Sequence, residues 1–524
     1  MDRRAVRLQL GSLVLVIGAL AVGLFASGLG GGKSAAAGAA QSGLARVCAD
    51  PAPFPTGFDY PQQASTVEQW VAHREAGKAR EHGWYLFAGL NQPAAGGTPV
   101  WRTWCTSTQA FFTGFTAAAF RASVSGMNHQ ITINAMRRAD GTNEPINLPN
   151  SPFYPLPSVV ASNPDYKKCI VPVSTTPPEQ PAQQLLDGPT FQNNGDIMVA
   201  GVIYDNSAYD WIRSKKLYLG ATLTAQVPTP PATAQIAAMP PSSIVLKPML
   251  WPVRGTGYTA LPVWDDLSAD GGTYVGFEIQ QKWTRAVAVT AHPTSAIAAV
   301  NVTYLHGVYK ANVQNPVQIG PVVYRGAKVA PLSTFYSFRF PHLASMHPCD
   351  RAILDASAYW AYGRAFSKDD YLVLVAMHVL TKEQPDWTFQ SVWWHDQPNA
   401  GPYAKNRPNI PPSQAQGPWR HYLMTSTYGI TQPPPNSNEW PKAYNPYIEL
   451  AADHPIVTSC INCHRRAAWP NFESSAPAHA SYEAKGGPGA LDVYKPNNPI
   501  FNGILTTDSM WAVSDRATSP PQPR

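Results

Sequence analysis

Charged residues are scarce in this sequence. Asp, Glu, Lys and Arg make up 14% of the 524 residues and form no long run of one sign. Residues 1–40 carry four basic and one acidic residue, which leaves 35 basic against 32 acidic residues, a net charge of about +3, in the remainder. A weak balance without basic clusters gives no reason to expect a nucleic-acid partner.

Common catalytic motifs are missing as well. The chain has no Gly-x-Ser-x-Gly elbow, no His-Glu-x-x-His zinc helix and no dinucleotide fingerprint between a strand and a helix. Its isolated Asp and Glu residues form no recognisable acid–base pair, and no internal repeat is evident. These absences disfavour a hydrolase. What the chain does have in quantity is Pro (52) and Trp (16), which is typical of a loop-rich, aromatic-filled, exported globule.

Residues 1–40 have the features of an export segment. Three arginines among the first seven residues precede an apolar run over 8–29, and small residues follow up to Ala40. This order is typical of a secretory signal peptide. The run is also nearly long enough to span a bilayer, so an uncleaved N-terminal membrane anchor is the alternative. In both cases we expect a periplasmic or otherwise exported protein.

The strongest local pattern is Cys460-Ile461-Asn462-Cys463-His464. Cys-x-x-Cys-His is the attachment signature of c-type haem, in which two thiols bond the vinyl groups and the adjacent imidazole binds the iron. A zinc site would need a second Cys or His pair at ligand spacing, and the sequence lacks one. The motif therefore predicts one covalent haem c on Cys460 and Cys463, with His464 as the proximal iron ligand. We expect its helix to begin near His454 and to end near Ala468, before Pro470.

Through this motif, the chain resembles monohaem c-type cytochromes over roughly 60–70 of its C-terminal residues. Further phrases upstream extend the likeness, namely 243–247 (SIVLK), 376–378 (AMH), 393–396 (WWHD) and 445–449 (NPYIE). Together, over about residues 65–515, they resemble large exported bacterial proteins with one C-terminal haem motif and no assigned reaction. The resemblance implies the roles given above for Cys460, Cys463 and His464, and no others.

The ligand on the other side of the iron determines the chemistry. Met510 follows His464 at a spacing that suits the distal methionine of a small cytochrome, although a core methionine beside Trp511 is the alternative. His395 is the second candidate, because it ends a predicted strand and Asp396 follows it as a group that could orient the imidazole. A structural histidine is the alternative there.

Other candidates have less distinctive surroundings. His378 follows Met377 on a predicted strand, so only one of these two side chains can face a given side. Arg465 and Arg466 would neutralise haem propionates, face an acidic electron-transfer partner or simply remain solvated. The weaker ligand candidates are Met424, His454 and His479.

Four cysteines lie outside the haem motif: Cys48, Cys105, Cys169 and Cys349. In an oxidising compartment they would form two disulfides, with three connectivities open, and buried free thiols are the alternative.

The predicted fold class is α+β, with a β-rich sandwich or barrel-like core, peripheral helices and a small helical C-terminal haem segment. We expect a helix over 66–90, opened by a capping box at Ser65 and Glu68 and divided near Gly77 or Gly83. A short helix is predicted over 419–427. The predicted strands are 196–204, 244–251, 273–281, 284–291, 299–309, 317–329, 335–340, 371–380 and 387–395.

The predicted domain organisation follows changes in composition along the chain. It comprises an export segment (1–40), a mixed helical and irregular region (41–192), a β-rich core (193–398), a Pro-rich linker with a short helix (399–446) and the haem segment (447–524).

Three functions are consistent with these features. The first is a monohaem protein that transfers single electrons to or from a redox partner protein, which no motif identifies. The second is a haem enzyme of peroxidase or oxidase type. The third is a ligand-binding module in which haem is a sensor or a structural cofactor. Because covalent attachment retains haem outside the cell, electron transfer is favoured.

Overall fold

The computed structural model describes residues 51–111, 156–172, 183–185, 198–264, 283–312, 315–340, 342–346, 348–428, 443, 445–448, 460–465, 467–469 and 501–517. The export segment 1–40, the predicted strand 273–281 and the candidates His454 and His479 lie outside these residues. Within the described ranges, no helix combines the length and the apolar character needed to cross a membrane. Residues 45–524 form one compact unit, and the finer domain boundaries stay a prediction.

The described strands, in chain order, are β1 (Cys105–Thr106), β2 (Ile170–Pro172), β3 (Gln183–Leu185), β4 (Val199–Ala200), β5 (Ile203–Tyr204), β6 (Ala234–Gln235), β7 (Ile244–Val253), β8 (Thr259–Val263), β9 (Arg285–Thr290), β10 (Ala299–Asn312), β11 (Asn315–Pro331), β12 (Ser337–Phe338), β13 (Tyr371–Thr381), β14 (Thr388–Trp394), β15 (Tyr422–Tyr428), β16 (Ala468–Trp469) and β17 (Leu505–Thr506). The described helices are α1 (Ala64–Ala72), α2 (Ala76–Leu90), α3 (Ser107–Ala110), α4 (Ser158–Ala161), α5 (Asn206–Ser214), α6 (Gly220–Thr224), α7 (Pro348–Tyr362), α8 (Cys460–His464) and α9 (Trp511–Arg516).

An eight-stranded antiparallel sheet is the centre of the fold. Its main path is β1–β5–β7–β13–β14–β15, with β4 beside β7 and β12 beside β13. A second sheet has the order β10–β11–β9–β8, and two small sheets are formed by β16–β17–β6 and β2–β3. The fold is therefore α+β and strand-rich, as predicted. The described strands form open sheets and not a closed barrel.

Two apolar clusters meet at the C-terminal end of β13. Met377 and Val379 belong to the larger cluster, which also contains Val287 of the second sheet. Leu380 belongs to the smaller cluster, which also contains Cys460. β13 therefore contributes side chains to both clusters and joins the sandwich core to the segment that carries the cysteine–histidine motif.

Most predicted strands are confirmed to within a few residues, namely those that became β7, β9, β10, β11, β13 and β14. The strand predicted over 335–340 is only β12, and the one predicted over 196–204 is divided between β4 and β5. Helices α5 and α7 were not predicted. The first turn of α7 contains Pro348 and Asp350, and both are typical of a helix start.

The predicted 66–90 helix is two helices, and the break lies at Arg74, with φ +57°, and not at a glycine. Gly83 instead lies inside α2. A Cβ at that position would come within 2.9 Å of Met424 Sδ and of Gln390 Cγ, so glycine allows α2 to pack closely on β14 and β15. Glycine here serves packing and not helix termination.

Two further predictions about helices are wrong. The predicted 419–427 helix is a 3-10 turn, Trp419–His421, followed by β15. Its full-length pairing with β14 supplies the backbone hydrogen bonds that a helix would have made. The capping box at Ser65 is not formed, because α1 begins at Ala64, two residues earlier than predicted, and its N-cap, Gln63, makes no side-chain capping bond.

One predicted disulfide is confirmed between Cys169 and Cys349, with an S–S distance of 2.00 Å. It joins the 3-10 segment Pro164–Cys169 to the first turn of α7. Cys105 is disulfide-bonded as well.

Candidate functional site

The cysteine–histidine motif forms a single helical turn, α8, beside the large sheet. Its first residue is fixed by a backbone hydrogen bond of 2.7 Å from Cys460 N to Ala443 O. The predicted continuation to Ala468 is wrong: after the turn, Ala468 and Trp469 form β16 and pair with β17. Strand pairing therefore ends the helix before Pro470. The predicted helical start near 454 lies outside the described residues.

The Cys460 thiol is buried and free of any disulfide. Its side chain is 5% exposed and its Sγ lies 3.8 Å from Nε2 of His378, which is 4% exposed. This distance is within reach of a sulfur hydrogen bond. The side chain of Cys463 lies outside the described part of the structure.

His464 is oriented by a backbone carbonyl. Its Nδ1 lies 2.9 Å from the carbonyl oxygen of Ser509, and because a carbonyl can only accept, Nδ1 carries the proton and donates it. The Nε2 atom makes no hydrogen bond to any described residue. The ring of Phe389 meets the imidazole in a T-shaped contact, with 5.1 Å between centroids, and holds its plane.

The imidazole of His464 is neutral at physiological pH. Burial is the main cause that lowers its pKa to about 3; the hydrogen bond to Ser509 opposes the shift, and the neighbouring charges of His378 and Lys247 add to it. A neutral imidazole with its proton on Nδ1 presents a lone pair at Nε2. This is the form in which histidine binds metal ions.

The carbonyl that orients His464 lies in a turn with unusual backbone angles. Asp508 and Ser509 both have positive φ, 50° and 65°. Asp508 stabilises this turn: its carboxylate accepts a hydrogen bond of 2.9 Å from Met239 N and pairs with Lys382 Nζ at 2.6 Å. The sequence analysis did not predict this turn. The atom that contacts His464 is a backbone oxygen, and every residue type has one, so no sequence pattern marks it.

Arg465, directly after the motif, forms an ion pair with Asp386 at 2.8 Å. Its side chain is mostly buried. The acidic partner comes from the turn between β13 and β14 of the same chain. The buried, ion-paired side chain is not the solvated cation that was one alternative, and the other predicted roles of Arg465 stay predictions. Arg466 lies outside the described residues.

Both ring nitrogens of His395 are used in hydrogen bonds, which leaves neither of them available to bind a metal. Its Nε2 lies 3.0 Å from Trp264 O, and its Nδ1 accepts from Gln397 N at 2.9 Å. The predicted orienting role of Asp396 is wrong. Its carboxylate is 3.7 Å from Nδ1, too far for a hydrogen bond, and binds Arg285 through two hydrogen bonds of 2.9 and 3.0 Å.

Met510 is buried in the smaller apolar cluster, next in sequence to Ser509. Its backbone therefore begins near the Nδ1 edge of His464 and not near Nε2. Met424, the weaker candidate, lies in the larger cluster against α2. The structure thus brings Cys460, His464, Phe389 and His378 together, and leaves His395 outside this group.

No protein-family model matches the chain, and comparisons with curated proteins and with solved structures give no match either.

Proposed function

We propose that this protein is an exported, monohaem c-type electron-transfer protein. Cys460 and Cys463 would carry the haem through thioether bonds, and His464 Nε2 would bind the iron on the proximal side. When bound, the haem supplies a reversible one-electron couple that is retained outside the cell by its covalent bonds. The partner would be another redox protein, and residues 1–40 would direct export or anchor the chain to the inner membrane.

The observation that carries this proposal is the hydrogen bond from His464 Nδ1 to Ser509 O. Histidines that bind metals commonly donate their other ring proton to a carbonyl or carboxylate, which fixes the tautomer and the ring orientation. The buried, reduced Cys460 thiol also fits, because thioether formation requires a free thiol.

The surroundings of the motif are apolar, and this supports the electron-transfer proposal. The turn α8 lies against Phe389 and the apolar cluster around Leu380, and Cys460 is nearly inaccessible to solvent. Electrons cross such apolar contacts without a bond being made, so these surroundings would suit a redox centre. Arg465 is neutralised by Asp386 and offers no free charge to a substrate.

The test is expression of the full chain, with its own residues 1–40, in a bacterium that matures c-type cytochromes. We expect haem that remains with the polypeptide after acid–acetone extraction, and a mass increase of one haem per chain. The Cys460→Ala/Cys463→Ala variant should lose this haem. The Cys169→Ala/Cys349→Ala variant is the matched control, because it removes two other cysteines, which are disulfide-bonded to each other, and should keep the haem. Absence of covalent haem in the wild-type protein would refute the proposal.

The enzyme alternative gives a different outcome in the same preparation. A peroxidase would have high-spin iron and turn over peroxide at a rate that depends on the holoprotein concentration. An electron carrier would cycle between ferric and ferrous states with small redox partners and consume no peroxide.

A further inference from the structure

The loop 397–421, between β14 and β15, contains no Asp or Glu and three cations, Lys405, Arg407 and Arg420. Lys405 and Arg420 are exposed and Arg407 is half-buried. None of the three pairs with a carboxylate in the described part of the chain. These three residues are named the loop cations. Beyond residue 40 the chain has 35 basic and 32 acidic residues, so this loop alone holds as much positive charge as the whole surplus.

Contacts with two tryptophans bring the loop cations together. The Arg407 guanidinium lies over Trp84, 4.8 Å from the ring centroid, and Trp84 Nε1 donates to the backbone carbonyl of Lys405. The Arg420 guanidinium lies over Trp419, 4.5 Å from the ring centroid. The two tryptophan rings are 6.2 Å apart, so the three cations surround one aromatic pair.

The charges of this cluster are of one sign and repel each other. Burial lowers the pKa of Arg407 to about 10, and the charges of Arg420 and Arg80 add to the shift. Burial and the Arg407 charge lower the pKa of His421, so this imidazole stays neutral at physiological pH. The loop cations therefore create a positive potential that attracts an anionic surface.

The cluster is fixed to one edge of the large sheet. Strand β15 ends the main path of described strands. Arg407 Nη2 donates to the carbonyl oxygen of Tyr422, and Arg80 Nη2 donates to that of Met424 at 2.7 Å. These bonds hold the guanidinium groups in place before any partner arrives, which reduces the entropy lost on binding.

This edge lies beside the strand that contacts the cysteine–histidine motif. Thr427 of β15 is opposite Phe389 of β14, and the Phe389 ring contacts His464. Met424 is three residues from Thr427 along β15, so about 11 Å within the sheet separates it from Phe389. A protein bound at the loop cations would therefore lie one strand away from the residue that touches His464.

We propose that the loop cations are the docking surface for an acidic redox protein. One electron would pass between that protein and this chain across β15 and β14, and no bond would form or break. The redox role of the partner rests on the proposed function, whereas the docking itself requires no haem. A membrane surface fits less well, because Trp84 and Trp419 beneath the cations are buried and cannot enter a bilayer.

The experiment uses the full chain and, as the probe, an acidic plastocyanin, a small copper protein with a patch of carboxylates. Surface plasmon resonance measures binding whether or not haem is attached. Wild-type protein should bind at low ionic strength and lose about tenfold or more in affinity at physiological ionic strength, because salt screens exposed charges. This measurement needs no substitution, so it does not depend on a variant that folds.

Two charge-reversal variants then locate the binding surface. Lys405→Glu/Arg420→Glu should weaken binding at low ionic strength by about tenfold or more. Lys215→Glu/Lys216→Glu is the matched control, because it makes the same change in net charge at two exposed lysines that follow α5. The control should bind plastocyanin as the wild-type protein does.

The outcomes of the binding measurements support or overturn the docking surface. Equal weakening in both double variants would show that only net charge matters, and this would overturn the assignment. Unchanged binding by Lys405→Glu/Arg420→Glu, or binding that is insensitive to salt, would overturn it as well. Vesicles containing anionic phospholipid are the rival ligand, and association with them but not with plastocyanin would assign the surface to a membrane instead.

Electron transfer separates this inference from the proposed function. Ferrous holoprotein should reduce plastocyanin more slowly when it carries Lys405→Glu/Arg420→Glu, and at the wild-type rate when it carries the control substitutions. Equal rates in all three proteins would overturn the docking surface and leave the haem proposal standing. A chain without covalent haem that still binds plastocyanin through the loop cations would refute the haem proposal and leave the docking surface standing.

Discussion

Lys382 and Asp508 form a buried ion pair, with 2.6 Å between Nζ and Oδ1. Lys382 lies in the turn between β13 and β14, and Asp508 precedes the Ser509 carbonyl that orients His464. The pair therefore connects the central sheet to the turn that orients the His464 imidazole. Burial raises the pKa of Asp508, and the Lys382 ammonium opposes that effect.

Replacing one member of this pair should be costly. Lys382→Met should lower the free energy of unfolding by about 3–5 kcal/mol, because it leaves a buried carboxylate without its cation. The Lys382→Met/Asp508→Leu double variant should be more stable than the sum of its single variants predicts, since no buried charge remains. Urea denaturation measures all three. Lys78→Met, which breaks an exposed pair with Glu75, is the control and should change stability by about 0.5 kcal/mol or less. Strict additivity in the double variant would contradict this account.

The Cys169–Cys349 disulfide closes a loop across 180 residues of sequence. Its replacement by two serines should reduce the stability by about 2–5 kcal/mol, because the unfolded chain regains conformational freedom. Thermal or urea unfolding under oxidising conditions measures the loss. In reductant, the wild-type protein should unfold at the same denaturant concentration as the variant. If the two midpoints still differ there, the serine substitutions themselves destabilise the native state.

Asp370 should make stability sensitive to acid. Burial alone would raise its pKa, but hydrogen bonds from Arg364, Ser367 N and Gly255 N outweigh burial and lower it. A lowered pKa means that the native state binds fewer protons than the unfolded state, so the contribution is present at neutral pH and is lost as pH falls below about 4. Asp370→Asn should cost about 2–3 kcal/mol at pH 7.

The measurement for Asp370 is urea denaturation of wild type and variant across a pH series. The difference between them should shrink in acid. Asp369→Asn, at the exposed neighbouring position, is the control and should follow the wild-type curve. A difference that stays constant from pH 7 to pH 3 would disprove the role of the Asp370 charge.

His395 should be a structural residue. His395→Ala removes a side chain that is completely buried and hydrogen-bonded at both nitrogens, so it should lower stability by about 2–4 kcal/mol. The optical spectrum of the haem-loaded protein should nevertheless stay unchanged. His342→Ala, at an exposed position, is the control for stability. A change in the spin state of the iron in His395→Ala would show that this histidine reaches the metal after all.

The fold was predictable where local patterns were strong. Short apolar runs such as 244–251 and 371–380 became β7 and β13, because β-branched and apolar residues bounded by turns favour extended backbone. The segment 419–427 was not predictable in this way. Its conformation is decided by the neighbouring edge of β14, which offers hydrogen bonds to a strand and none to a helix. The prediction that Gly83 divides the helix failed for a related reason. Its role depends on how closely Met424, from a distant segment, approaches α2.

The sequence by itself determined the residues of the candidate haem site, because the chemistry of two thiols and an imidazole requires a fixed local spacing that can be read along the chain. Tertiary structure decided everything that depends on contacts between distant segments. It brought Ser509 to Nδ1 of His464 and His378 to the thiol of Cys460, across 45 and 82 residues of chain. Such contacts arise from sheet register and buried ion pairs, which depend on segments far apart in the sequence and therefore leave no local pattern.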